Sequence, residues 1–257
     1  MQGTQLGQGT VVAWRSRMRQ GTVIAKRGSL LEKYFYFFMS ILIIVVVVYG
    51  FSFTVGKNLI HPAVPPPLIL YVHAAVFPGW LVFFILQSGL VRTHNVQWHR
   101  QIGWFGMALG ITIIVVGVST AITMARFNTV QLHSGDEDSF LMIPFFDMVC
   151  FTTTFALAIY CRKKPEFHRR LMLIATCALT AAAFGRFPER LLPHEFFYAG
   201  VDALILLGVV RDLMVNRTVH RVYLYALSAF TVGQTVVTYT AFHQLRYWQK
   251  IAHTILS

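Results

Sequence analysis

Apolar runs of about 20 residues, the length that crosses a bilayer as a helix, recur along almost the whole chain. Seven are read, at 34–53, 68–91, 103–124, 140–161, 171–187, 197–213 and 222–242. None alternates with period 2, and backbone groups in lipid must be satisfied within each segment, so helices are expected rather than a barrel. The fifth and sixth runs are near the short limit and should stand almost upright. The expected fold class is all-α: a polytopic membrane helix bundle of seven transmembrane helices.

Polar positions interrupt this pattern in a repeating way. Three inner loops end alike as the chain re-enters the membrane, at Trp98-His99-Arg100, Phe167-His168-Arg169 and Val219-His220-Arg221. Each triplet opens an odd-numbered run. Each even-numbered run before it holds one ionisable residue about two turns from its outer end: His73, Asp147 and Asp202. The chain therefore reads as an anchor helix followed by three tandem helical hairpins. Helical phase places His73, Phe77, Trp80, Phe84 and Gln87 on one face of the second run. It places Gly103, Gly106, Gly110 and Gly117 on one face of the third, continuing from His99. In the fifth run, Arg186 stands five turns beyond His168 on the same face, about 27 Å away. In the seventh, His220, Thr231, Gln234 and Thr238 form a polar stripe. Lipid offers these groups no partner, so they are expected to face the bundle interior.

Composition fixes the class. Of 257 residues, 56% are apolar and 12% charged, whereas soluble domains carry about a quarter charged residues. A soluble, secreted or disordered protein is excluded. The net charge of +12 is a topology signal rather than a nucleic-acid footprint. Sixteen of the 22 Lys and Arg residues fall on the arm before the first run and on the three loops of the same side. By the positive-inside bias the N-terminus is cytoplasmic and the C-terminus external, with the bilayer as partner. The expected location is a plasma membrane, that of a bacterial inner membrane. Residues 1–33 read as a basic, disordered cytoplasmic arm, 34–242 as the membrane domain and 243–257 as a short external tail. The arm contains a duplication, QGTVVAWR at 8–15 and QGTVIAKR at 20–27. GDED at 135–138 reads as a solvated outer turn. Cys150, Cys161 and Cys177 match no zinc or redox spacing. Nucleotide-binding loops, a serine elbow and HExxH are absent.

Two chemistries fit the inner layer. Neutral imidazoles of His99, His168 and His220, with His73, can ligate haem iron while Arg100, Arg169 and Arg221 pair with propionates. The same three inner histidines can instead hold zinc with an open position for water, as a metal hydrolase does. Against both stands simple anchorage of His-Arg pairs at the interface. The glycine face admits either a flat macrocycle or close helix packing, and Ala178 and Ala182 read as packing. The outer cluster of His73, Asp147, Arg186 and Asp202 admits a proton relay, a quinone or other small-molecule pocket, or an ion pair of Arg186 with Asp147 or Asp202.

The stretch HAAVFPGWLVFFILQSGLVRTHNVQWHRQIGWFGMALG (73–110), with PEFHRRLMLIATCAL and AFGRFPER, resembles bacterial multi-pass membrane proteins of uncharacterised activity. They carry an early span histidine and a His-Arg-x-x-Gly turn, here His99-Arg100 followed by Gly103. That turn is also similar to one in membrane b-type cytochromes, a likeness that implies haem b at His73 and His99, with His168 and His220 as further candidates. The second and third hairpins depart from it, with Asp147 and Asp202 where a ligand would stand. Two functions are thus expected in competition. One is a haem-b or redox-associated membrane protein; the other is a non-catalytic assembly or sensor protein whose polar layers are structural.

Overall fold

The computed structural model describes residues 32–133, 140–243 and 245–256. The duplicated arm and the GDED turn lie outside the described residues. Among the described residues the regular elements are all helical, with no strand. The helices are α1 Glu32–Ser52, α2 Leu68–Arg92, α3 Val96–Gln131, α4 Met142–Tyr160, α5 Pro165–Ala178, α6 Ala181–Phe184, α7 Phe197–Asn216, α8 Arg221–Phe242 and α9 Arg246–Leu256. Helices α1 to α4 are long and apolar enough to cross a membrane.

Local chemistry sets the boundaries. Three prolines, Pro65 to Pro67, lack the N–H groups a helix needs, and α2 begins directly after them. Between α2 and α3 the chain reverses in three residues. Thr93 Oγ1 donates to Gly89 O (3.1 Å), His94 takes a left-handed φ of 62°, and Asn95 N donates to Leu90 O (2.8 Å). So tight a turn forces α2 and α3 to lie antiparallel and packed along their length. Pro165 and Glu166 open α5 in the first-turn positions that suit them. Arg217, at φ 60°, closes α7, and His220 caps α8 by accepting from Val222 N (3.3 Å).

The fifth run departs from expectation. It is broken into α5 and α6 at Leu179 and Thr180, where Thr180 turns both its N–H (2.9 Å) and its hydroxyl (2.6 Å) onto Cys177 O. The break removes the register that would place His168 and Arg186 on one face. It also frees the α6 backbone for close contact: a Cβ on Gly50 of α1 would lie 2.3 Å from Ala183 O. Ala178 is buried, but Ala182 is exposed.

Helix α5 is the hub. Residues 173–178 are all buried, and α5 packs against α4, α7 and α8. The second half of α5 is apolar on every face, as an interior helix is, while its first turns carry Glu166, His168, Arg169 and Arg170. Side-chain contacts to three neighbours fix it, among them His168 Nδ1 against Ala158 O of α4 at 2.8 Å. Trp80 Nε1 of α2 donates to Thr176 Oγ1 (3.3 Å). Arg170 forms a two-pronged ion pair with Asp212 of α7, Nε to Oδ2 at 2.8 Å and Nη2 to Oδ1 at 2.7 Å. Their side chains are 1% and 0% exposed.

Removing the Asp212 charge leaves buried Arg211 without a counterion and Arg170 with only the exposed Glu166. Asp212→Asn is expected to cost about 3–5 kcal/mol, read by denaturant unfolding in detergent. Arg170→Met added to Asp212→Asn should restore part of the loss; additive losses would refute the coupling.

Candidate functional site

Of the faces read from the sequence, that of α2 is correct: Trp80, Phe84 and Gln87 are buried, and His73 stacks on Phe77 with ring centroids 3.9 Å apart. The glycine face of α3 points inward at Gly106, Gly110 and Gly117, where protein side chains fill it, but not at Gly103, which is half-buried and has open space beside it. A Cβ on Gly106 would meet Phe83 at 2.2 Å, one on Gly110 would meet Phe155 at 2.3 Å, and one on Gly117 would meet Met148 at 2.3 Å. The small residues serve close packing, and no flat group fits against them as the side chains stand.

The three inner histidines do not form one cluster. His99 and His168 converge, with centroids 6.4 Å apart and planes at 77°. His168 holds its Nδ1 against Ala158 O at 2.8 Å, which leaves Nε2 free. His220 stands apart, edge-on to Phe167 at 4.6 Å, with its Nδ1 committed to the cap of α8. The three-imidazole zinc seat is therefore not assembled, and no group of three or more His, Cys, Asp or Glu side chains suited to a metal occurs among the described residues. Arg100 and Arg221 are exposed, and Arg169 pairs with Glu166 at 2.6 Å.

The outer layer is more promising. Asp147 of α4 accepts from Tyr198 Oη of α7 at 2.8 Å. Asp202 of α7 accepts from Gln234 Nε2 of α8 at 3.1 Å. Gln234 is buried, whereas Thr231 of the same polar stripe is exposed. Among the described residues, neither aspartate forms an ion pair. Arg186 instead donates to Ala182 O and stands over the Phe51 ring at 4.5 Å.

Asp147 and Arg186 nevertheless share a wall. They line a cavity of about 400 Å³, together with His194 from the loop before α7. Its other walls are apolar, among them Met124, Phe140, Phe197 and Phe242. The sequence placed Asp147 and Arg186 in one outer cluster but gave no signal for Tyr198, a lone tyrosine among phenylalanines. His73 lies off the cavity, within reach of the Arg186 charge.

A second polar centre was not anticipated as a unit. Glu166, Arg169, Arg170, Arg211 and Asp212 gather at the inner end of α5 and α7. Burial pushes the Glu166 carboxyl up, but hydrogen bonds from Arg170 and the nearby Arg169 charge outweigh it and hold the group below its ordinary value. The usable signal was the pair of acids Glu166 and Asp212 among the arginines and lysines of the two loops that flank α5 and α7.

Comparison of the chain with protein-family models, curated proteins and solved structures returns no match.

Burial, and after it the charge of Arg170, hold the His220 imidazole below the ordinary histidine value. The folded state thus binds this proton less readily than the unfolded chain. The stabilisation from His220 is present above about pH 6.5 and is lost as pH falls through the folded value. The wild-type chain should lose more stability than His220→Asn between pH 7 and 5, measured by thermal unfolding. Equal slopes would show that the cap does not titrate.

Proposed function

We propose that this chain is a multi-pass membrane protein that binds a small lipophilic molecule of the quinone class in the outer cavity. One observation carries the reading: a carboxyl and a guanidinium, Asp147 and Arg186, line one apolar cavity without pairing with each other. Ligand sites combine apolar walls with a few convergent polar groups in this way. A quinone carbonyl accepts from Arg186, a quinol hydroxyl donates to Asp147, and the apolar walls take the ring and the start of its tail.

The membrane frame is seven crossings with the N-terminus cytoplasmic, in a plasma membrane. The four long apolar helices support it. So do α7 and α8, which at 20 and 22 residues span about 30 and 33 Å. Both expose apolar side chains outward, among them Leu206, Val210, Val232 and Val236. The basic bias of the inner loops supports the orientation.

Decylubiquinone is the probe. It should quench the protein's tryptophan fluorescence saturably in detergent. Ala121→Phe, which narrows the cavity from an apolar wall, should weaken binding about tenfold or more, and Asp147→Ala should weaken it by removing one hydrogen-bond acceptor. Binding unchanged in both variants, or none in the wild type, would leave the polar groups with a structural role, as in an assembly or sensor protein.

A second reading rests on His99 and His168. Two imidazoles 6.4 Å apart, one oriented by a backbone carbonyl, form a pair suited to a shared metal ion or haem iron. Protein purified from haem-replete cells should then show a Soret band that shifts on reduction and disappears in His99→Ala. A featureless spectrum ends the haem reading.

A further inference from the structure

At the inner end of α5 and α7 three cations, Arg169, Arg170 and Arg211, face two anions, Glu166 and Asp212. The acceptors of Asp212 are fully used. Oδ2 takes Arg170 Nε, and Oδ1 takes Arg170 Nη2, Arg211 Nη1 (2.9 Å) and Asn216 Nδ2 (3.2 Å). Glu166 Oε2 is shared by Arg169 and Arg170 at 2.6 Å each. Donors are left over. Arg211 is 1% exposed, and its Nε and Nη2 are buried without a partner; so is Arg169 Nε, while the buried hydroxyls of Tyr36 and Tyr223 lie beside each other with no further partner.

The two arginines make the contrast plain. Arg170 presents its Nε–Nη2 edge to a carboxylate in the two-pronged manner that guanidinium geometry favours. Arg211 carries the same edge, buried equally deep, with nothing on it. Arg211 has only a share of Asp212, through Nη1; buried N–H groups left unfilled on a cation are costly, and the missing complement is negative and rich in acceptors.

We infer that this centre is a binding site for a phosphate group, carried either by a lipid headgroup or by free phosphate. The Nε–Nη2 edge of Arg211 grips two phosphate oxygens, and the Tyr36 and Tyr223 hydroxyls donate to the others. A carboxylate has only two oxygens for these donors, whereas phosphate has enough for all. Arg169 and Arg211 both flank the Tyr36 ring, at 5.6 and 5.7 Å from its centroid. Arg169 is 29% exposed, so the way in runs past Arg169 by displacement of that ring. The site lies at the opposite end of the bundle from the outer cavity and is independent of the quinone reading.

The test is thermal unfolding of the full chain in a neutral detergent, titrated in separate arms. Sodium phosphate is compared with sodium chloride at equal ionic strength, and short-chain phosphatidylglycerol with monoolein, which has no phosphate. Saturable stabilisation by phosphate identifies the free ion; stabilisation by phosphatidylglycerol alone identifies the headgroup. Stabilisation in neither arm overturns the site. Tyr36→Phe and Tyr223→Phe keep both rings and the Arg170–Asp212 pair, so they spare the packing. Together they should weaken the active arm about tenfold, and Arg211→Lys, which keeps the charge but loses the fork, should weaken it as well. Undiminished affinity in all these variants would also refute the assignment.

Discussion

Arg170 and Asp212 are almost wholly withdrawn from solvent, and each satisfies the other through two hydrogen bonds. Withdrawing two charges from water costs several kcal/mol per ion, repaid only if the geometry is good and the remaining polar atoms find partners. That condition leaves little choice of register between α5 and α7. A shift of one residue turns a helical side chain by about 100° and would leave both charges stranded. Apolar packing alone is less exacting, because a membrane gives helix–helix contacts little hydrophobic bias toward one partner over another.

The remaining polar contacts extend this fixation outward from α5. Trp80 Nε1 reaches Thr176 from α2, Tyr198 joins α7 to Asp147 on α4, and Gln234 joins α8 to Asp202. Between them lie interdigitated rings: Trp80 stands edge-on to Phe151 and Phe155 at 5.5 and 5.6 Å. Close approach makes this possible. A side chain at Gly208 would collide with Tyr223, and one at Gly110 with Phe155, so α7 meets α8 and α3 meets α4 through the glycine positions. Polar contacts select the neighbours, and small residues set the spacing.

Much of this was legible in the chain. The apolar runs located α1 to α4 within a few residues at most ends, though α3 runs well past its apolar core, where its last turns pack against α9 and Arg126 donates to Ile255 O and Leu256 O. Phase arguments identified the buried faces of α2 and α3 because each helix is unbroken. They failed in the fifth run, where hydropathy does not register the turn at Thr180; a hydroxyl that bonds backward to Cys177 O competes with the helix without lowering apolar content much. The matching His-Arg triplets implied three equivalent hairpins, yet His220 caps α8 while His99 and His168 face each other. Similar words in sequence were put to different local uses. Asp212 passed unnoticed because an acid beside an arginine at a helix end reads as surface; only the position of α5 makes it interior.

The two polar ends of the bundle differ in how they treat charge, and that difference bears on function. At the inner end, anions are fully matched and cations remain in excess, so the structure is complete except for one acceptor-rich group. At the outer end, Asp147 and Arg186 line the same cavity yet each turns to a neutral partner, Tyr198 for the acid, Ala182 O and the Phe51 ring for the base. If register alone were at stake, direct pairing across the gap would serve it with fewer residues. Keeping the groups apart preserves both a donor and an acceptor facing an apolar space large enough for a ring. Such an arrangement stabilises the protein less than an ion pair could, a cost that the proposed ligand, standing between the two groups, would offset.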